Sequence, residues 1–491
     1  MKSKVSKVLS ILLSVVLVIS SFYLLYQVIR LNVLPSKFLF PLTIGVVVLD
    51  AIFILLLIYF SKNVVSKIVC IVLTLFICVA SCMGGYYISK TQNVLSNITN
   101  VAKHAKNTVS VIVKESSSIK NKSQLNGVSV GSLRLNEQGS KKALKELSSE
   151  GIVLNQTEYD SMTALLEAFY NGEVDSIIIN ESSRSQILDM EAYSNFDSNT
   201  RVVYQTSYKV KNNDSATSVS DITSKPFNVL ISGSDTRGGF DENGRSDVIM
   251  IATVNPKTHT ILLTSVPRDF YVTTACDAGD GCMQGALDKI THTGIHGTNT
   301  TKRTVEQLLG IEINYTFKVG FDTVTELVDV LGGVDVYVEP GYATTTSEFS
   351  VHEGVNHLNA QQALAFARER YSYTEGDRQR TKNQQQVLMG IVKEATKPSV
   401  ITNYAAIMDT MANTFSTTMS NEEITDLIKY QLNNNPTWKM EQYMVDGTGD
   451  TLMCAELGDA ASVMVPDQST VKMAKDKINA VLAGKSSEDV K

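Results

Sequence analysis

The sequence predicts an α/β protein on a membrane anchor: three N-terminal transmembrane helices, a small α/β accessory domain, and a larger domain layered α/β/α around a central mixed sheet. Three features predict it. Apolar runs crowd the start of the 491-residue chain, strand and helix periodicities then alternate in two blocks, and a polar stretch separates those blocks. The expected division is an anchor over 1–90, an accessory domain over 91–210, a linker over 211–225, the larger domain over 226–484 and a disordered tail over 485–491.

The apolar runs are Val8–Ile29, Leu39–Phe60 and Val64–Ile88. Each can cross a hydrocarbon core of roughly 30 Å, and a cleaved signal peptide accounts for one such run, not three. Lys2, Lys4 and Lys7 before the first run, with Lys62 and Lys67 between the second and third, favour a cytoplasmic N-terminus. An odd number of spans then puts the rest of the chain outside the cytoplasm. Asp50 falls within the second span, where a charge costs roughly 2.5–3.5 kcal/mol. It reads either as a contact for a lipid head group or partner protein, or as a polar helix–helix contact. The formal net charge of −6, with no long basic run, argues against nucleic acid as a partner.

A polar stretch, Thr91–Asn126, leads away from the bilayer. Gly127–Gly131, Ile152–Thr157 and Val174–Asn180 read as strands, with helices over Lys141–Ser149 and Asp160–Asn171. The second helix carries Met162, Leu165, Leu166 and Phe169 at helical spacing. This order implies a small parallel sheet. Lys211–Lys225, rich in Ser, Thr and Asn, reads as the linker. Beyond it, Phe227–Ser232, Asp247–Asn255, Thr260–Val266, Asn314–Val319, Val334–Val338 and Trp438–Val445 read as strands. Thr301–Leu309, Phe321–Leu331, Asn359–Arg368, Asn383–Glu394, Val400–Met411, Asn421–Tyr430 and Ser469–Leu482 read as helices.

Chemistry concentrates at the ends of these elements. Asp235 follows the first strand of the larger domain, and Arg245 and Asp247 open the next. Brought to about 4 Å, two such carboxylates repel by about 4 kcal/mol at an effective dielectric of 20. A divalent cation removes that repulsion, and magnesium suits a few carboxylates completed by phosphate oxygens and water. Separate salt bridges to Arg237 and Arg245 are the alternative. Arg268 and Asp269 end a strand after Pro267, as a phosphate clamp or a local ion pair. Arg368, Arg370, Asp377 and Arg380 repeat the theme at a helix end, and a guanidinium fork binds phosphate oxygens bidentately. No P-loop, H-E-x-x-H or C-x-x-C is present, and the G-x-S-x-G match at Gly127–Gly131 falls within an expected strand of the accessory domain rather than at a strand-to-helix turn, so direct phosphoryl transfer is the consistent class. Cys276 and Cys282 bracket an acidic, Gly-rich loop. They read as a disulfide, as two free thiols, or, with His292 and His296, as a zinc clip.

The phrases Asp235-Thr-Arg, Arg245-Ser-Asp-Val-Ile-Met, Val266-Pro-Arg-Asp, Asp288-Lys-Ile-Thr-His, Leu331-Gly-Gly-Val-Asp, Ala363-Leu-Ala-Phe-Ala-Arg-Glu-Arg and Gly376-Asp-Arg-Gln-Arg follow one another in order. In these motifs the stretch Phe227–Thr396 resembles the LytR–CpsA–Psr family. The resemblance implies transfer of a glycopolymer, here a capsular polysaccharide, from a polyprenyl-pyrophosphate carrier to peptidoglycan. By position it implies Asp235 and Asp247 as magnesium ligands, manganese being the second candidate ion. Arg245, Arg268, Arg368, Arg370 and Arg380 match pyrophosphate arginines, with Lys289 and Gln384 as substrate-binding neighbours. Asp269 either orients Arg268 or takes the acceptor proton. Many members carry arginine where this chain has Asn383. Leu364 and Phe366 line a lipid groove or belong to the core. The expected partners are the lipid-linked glycan, peptidoglycan, the bilayer and capsule-assembly membrane proteins. Two other functions fit the same motifs: a membrane-bound regulator of capsule synthesis, and a lipid-pyrophosphate binder without turnover.

Overall fold

The computed structural model describes residues 2–60, 63–101, 104–134, 137–211, 214–234, 242–277, 281–397, 406–407, 410 and 415–491. The chain divides into two compact units: residues 1–97, 395–412 and 420–437 form one, and the remainder forms the other.

In the first unit, three helices are long and apolar enough to cross a membrane: Lys7–Leu31, Ser36–Tyr59 and Val64–Val94. Asp50 accepts a hydrogen bond from the Ser21 hydroxyl of the first helix at 2.9 Å, so the polar helix–helix contact is the one observed. A methyl group on Gly85 would overlap the Tyr23 ring, and small residues of this kind let apolar helices approach closely. A helix at Asn421–Asn434, opened by a Ser420/Glu423 capping box, belongs to the same unit. Its Lys429 donates to Asn32 at 2.7 Å, and Lys37 donates to the Asn433 carbonyl. The helix expected at Val400–Met411 lies almost wholly outside the described residues.

The second unit opens with a five-stranded sheet, ordered Asn155–Tyr159, Ser129–Leu133, Ser176–Asn180, His104–Lys114 and Thr200–Lys211. The first three strands are the expected parallel set. The other two are antiparallel and make the sheet mixed. His104–Lys114 lies inside the stretch expected to be a polar lead. Its polar first half conceals Val109, Val111, Ile112 and Val113, all fully buried. Ile177 and Ile179 pack on Met162, Leu165 and Phe169, whereas Ile178 packs on Leu125, Val130 and Leu147. A continuous apolar strand is thus buried on both faces.

A six-stranded mixed sheet follows, ordered Phe415–Thr417, Tyr315–Gly320, Phe227–Ser234, Val248–Asn255, Thr260–Val266 and Lys439–Met444. Helices Thr298–Leu309 and Gln468–Leu482 bury Val305, Leu309, Val471 and Ile478 against Leu230, Ile249, Ile251 and Leu262. A further core joins helices Phe321–Leu331, Ala360–Arg368 and Asp377–Ala395 through Val328, Ala363, Phe366 and Val387. Phe366 is therefore core, edge-on to Phe349. The last of these helices is tied to the sheet by Gln385, which donates to the Tyr443 carbonyl at 2.9 Å.

Two expectations are corrected here. The linker is docked: the Thr217 amide donates to Asn314, the Val219 amide to the Tyr315 hydroxyl, and buried Asp214 accepts from Thr316 at 2.6 Å. Burial raises the Asp214 carboxyl to about 6, against the Thr316 hydrogen bond and Lys302. The tail is ordered as well. Ser487–Asp489 forms a short helical turn, and the Ser487 amide and Ser486 hydroxyl both donate at 2.8 Å to the buried Glu441 carboxylate. Composition marked both segments as unstructured, but their polar groups satisfy buried partners. An antiparallel hairpin, Gly447–Cys454 with Asp459–Pro466, had no turn signal strong enough to announce it.

Candidate active site

The register of two antiparallel strands builds the centre of the site. Ile249 pairs with Val266. Asp247 immediately precedes the first of these strands and Arg268 follows the second by two residues, so the paired strand ends bring the two together. The Arg268 guanidinium donates to Asp247 at 2.8 Å. The backbone fixes both ends: the Asp247 amide donates to Gly233 at 2.8 Å, and the Thr291 amide donates to the Arg268 carbonyl at 3.0 Å. The Ser246 hydroxyl bonds Ser232 and Thr301. At Gly294 any side chain would strike the Ser246 amide, so only glycine admits this close approach.

Asp269 lies between two cations, its carboxylate 3.8 Å from Arg268 Nε and 3.4 Å from Lys289 Nζ. The Met464 amide, on the unannounced hairpin, holds the Asp269 carbonyl at 2.7 Å. Arg380 pairs with Asp377 in the first turn of its helix, where a carboxylate also meets the positive end of the helix dipole. Burial disfavours the Arg380 charge most. Asp377 supports it and Arg268 and Arg370 oppose it, so its pKa falls below the usual arginine value. Burial also opposes the Arg268 charge, but Asp247 and Asp269 outweigh it and the shift is upward. Arg380 thus feels the charge of both Arg268 and Arg370. Arg268 Nε is buried without a hydrogen-bond partner among the described residues.

The remaining candidates are placed less uniformly. Arg370 stacks on Tyr371, 4.6 Å from its ring centre. Arg368 ends the Ala360–Arg368 helix and is exposed. Gln384 lies one turn beyond Arg380 and is half-buried. The Arg245 guanidinium pairs with Asp189 of the accessory segment. Asn383 clamps two helices, donating to the Phe366 carbonyl and accepting from Gln379, both at 3.0 Å. Asp235 and Arg237 lie outside the described residues. Thr291, which donates to Asp247 at 3.5 Å, was not singled out within its motif, where one threonine between apolar and basic residues carries no signal of its own.

Asp247 offers a hard carboxylate oxygen, the donor type that magnesium takes. The neighbouring strand ends at Ser234, whose buried hydroxyl lacks a partner among the described residues. These groups fit a hard cation completed by phosphate oxygens. Cys276 and Cys282 are joined in a disulfide. His292 pairs instead with Asp288 at 2.7 Å and His296 with Glu456 at 2.9 Å, which removes the zinc reading. Burial, reinforced by Asp288, pushes the buried Cys454 thiol up to about 12. Maleimide at pH 8 is therefore expected to leave Cys454 unmodified in the native protein and to label it in guanidinium, as read by peptide mass spectrometry. Native labelling would show the thiol to be open and ionisable.

The profile of the LytR_cpsA_psr family matches residues 192–480. A Bacillus cereus (strain AH820) protein named polyisoprenyl-teichoic acid–peptidoglycan teichoic acid transferase TagU is 31% identical over 241 residues, covering 48% of this chain and 76% of the relative. The protein of that name from Bacillus subtilis (strain 168) is 34% identical over 203 residues, covering 41% and 63%. The solved structure of Bacillus subtilis TagU is 28% identical, with a TM-score of 0.41, covering 52% of this chain and 97% of that one. Protein gbs0355 from Streptococcus agalactiae is 25% identical, with a TM-score of 0.45, covering 53% and 89%. The chain belongs to the LytR_cpsA_psr family.

Proposed function

We propose that this protein is a phosphotransferase that moves a glycopolymer from a polyprenyl-pyrophosphate carrier to peptidoglycan. The observation that carries this reading is the gathering of Arg268 and Arg380 beside the Asp247, Asp269 and Asp377 carboxylates, with Arg370 close enough to act on Arg380. The names of the relatives support the substrate class. A capsular polysaccharide is the proposed cargo.

An acceptor hydroxyl of peptidoglycan attacks the phosphorus attached to the glycan. The bond from that phosphorus to the bridging oxygen breaks, and polyprenyl phosphate leaves with the electron pair. Arg268 and Arg380 neutralise charge on the leaving group, with Arg368, Arg370, Lys289 and Gln384 positioning the remaining oxygens. Asp269 orients Arg268 and Lys289 and takes the acceptor proton. Asp235 and Asp247 would hold magnesium, which when bound supplies charge neutralisation at the phosphates. The product is a phosphodiester.

The carrier explains the anchor. Lifting a polyprenyl tail into water costs about 0.8 kcal/mol per CH₂, so the enzyme works at the bilayer with its N-terminus in the cytoplasm and its sheets outside. Two observations support that side. The disulfide suits an oxidising compartment, and the helix Asn421–Asn434 bonds the loop between the first two spans.

The test incubates the full chain in nanodiscs with a lipid-linked oligosaccharide, peptidoglycan fragments and magnesium. Mass spectrometry is expected to find the joined phosphodiester and free polyprenyl phosphate. A carrier that binds but stays intact would instead make the protein a binder.

A further inference from the structure

We propose that the cavity between the accessory sheet and the Glu242–Arg245 segment is a saccharide subsite for a short, uncharged stretch of glycan. This rests on the transfer reading and assigns the sugar portion of the substrate a place of its own. The cavity holds about 350 Å³, at the small end of ligand sites, which run roughly 300–1,000 Å³. Strands His104–Lys114 and Thr200–Lys211, with the Glu181–Ser185 turn, form one wall. Glu242–Arg245 forms the other.

The lining decides the ligand class. Every lining residue is polar, charged or glycine, with hydroxyls from Thr108, Ser182, Ser185 and Ser207 and amides from Gln205 and Asn243. No apolar side chain is there to receive a lipid tail. The cations are already matched. Lys106 pairs with Glu242 at 3.0 Å, Arg184 with Glu181 at 2.6 Å and with Asp197 at 2.9 Å, and Arg245 with Asp189. A neutral sugar needs only donors and acceptors, which this lining supplies without disturbing those pairs. Among the lining residues, the Ser182 hydroxyl and Arg245 Nε are buried with no hydrogen-bond partner among the described residues.

The walls are preorganised. The Thr108 hydroxyl donates to Glu242 at 2.7 Å, and Lys318 donates to the Glu242 carbonyl, which fixes the segment against the accessory strand. Arg245 lies two residues before Asp247, so the chain that walls the cavity runs directly into the reacting centre. This places Arg245, a lining residue, at the border between the cavity and that centre. It also gives the accessory domain a share in substrate choice.

Donor glycan and peptidoglycan both present this chemistry, so the test has two arms. The full chain in nanodiscs is titrated with lipid-free, phosphate-free hexose and N-acetylhexosamine oligosaccharides, and separately with the peptidoglycan disaccharide. Saturation-transfer NMR reads binding. The expected result is binding of at least one sugar to the unmodified protein. Ser207→Trp, which fills the cavity from an exposed strand position, weakens it about tenfold or more, and Gln205→Ala weakens it less. Magnesium pyrophosphate binding is unchanged in both variants. Which arm responds identifies donor or acceptor. Should Ser207→Trp fail to fold, Gln205→Ala and Ser185→Ala decide. The subsite is overturned if no sugar binds at millimolar concentration, or if the folded variants bind as the unmodified protein does. Loss of transfer with sugar binding intact in the unmodified protein would reject the transfer reading and leave the subsite standing.

Discussion

Arg268→Ala is expected to lower the rate of carrier cleavage by about 10²–10³-fold, the usual consequence of removing one preorganised donor to developing charge. The side chain sits where two strands deliver it, bonded to Asp247 and beside Asp269, with one donor still unused. Its charge matters most when the leaving oxygen becomes a phosphate monoester, so the turnover number should fall more than carrier affinity. Alanine also strips Asp247 of an ion-pair partner, and loss of activity alone could then reflect unfolding. Arg268→Lys separates the two effects. It keeps the charge beside Asp247 but loses the planar fork. Its melting temperature should stay near that of the unmodified protein while turnover drops at least about tenfold. Polyprenyl phosphate release measured by mass spectrometry checks both variants, and full activity in either removes Arg268 from the mechanism.

The way that site was foreshadowed shows what a sequence carries. Asp247 and Arg268 were legible because each stands just beyond a strand end, and the pairing of Ile249 with Val266 brings those ends together. Arg245 was not, since the chain before Val248 is irregular and its direction depends on Asp189, fifty-six residues earlier. The three spans and the Ile177–Ile179 strand were visible as uninterrupted apolar runs. The strand His104–Lys114 was hidden because the polar half of its sequence resembles a linker. It pairs with Thr200–Lys211 across the whole accessory segment, a contact no local pattern encodes. The hairpin that holds the Asp269 carbonyl escaped for a related reason: Gly447–Cys454 is mostly exposed, and its value lies in a backbone hydrogen bond that any residue could make.

Ending the chain after Lys485 is expected to cost stability at pH 7, with about 3 kcal/mol as the ceiling because Lys439 stays in place. Glu441 explains why the six residues Ser486–Lys491 should weigh so much. Its carboxylate is 4% exposed. Burial alone would raise its pKa, yet Lys439 and the Ser486 and Ser487 donors bring it down from 4.5 to about 2. A fall of that size corresponds to about 3 kcal/mol of folding free energy. The sign follows from the direction of the shift. The folded carboxyl is the stronger acid, so the contribution is complete above pH 4.5 and disappears as pH falls toward 2. Truncation takes away the Ser486 hydroxyl, the Ser487 amide and Glu488, leaving Lys439, half-exposed, as the remaining counter-charge. The melting transition should drop by up to roughly 6–12 °C at pH 7, and the gap from the full-length protein should narrow between pH 4.5 and the acid limit. Glu441→Gln in both backgrounds isolates the cause. If the tail acts through this carboxylate, truncation costs much less in the glutamine variant, a non-additivity of 1 kcal/mol or more by estimate, roughly within the range seen for directly coupled groups. Additive losses measured by scanning calorimetry would mean that the tail stabilises the domain by some other contact, such as the Lys477 bonds to the Ser487 and Val490 carbonyls.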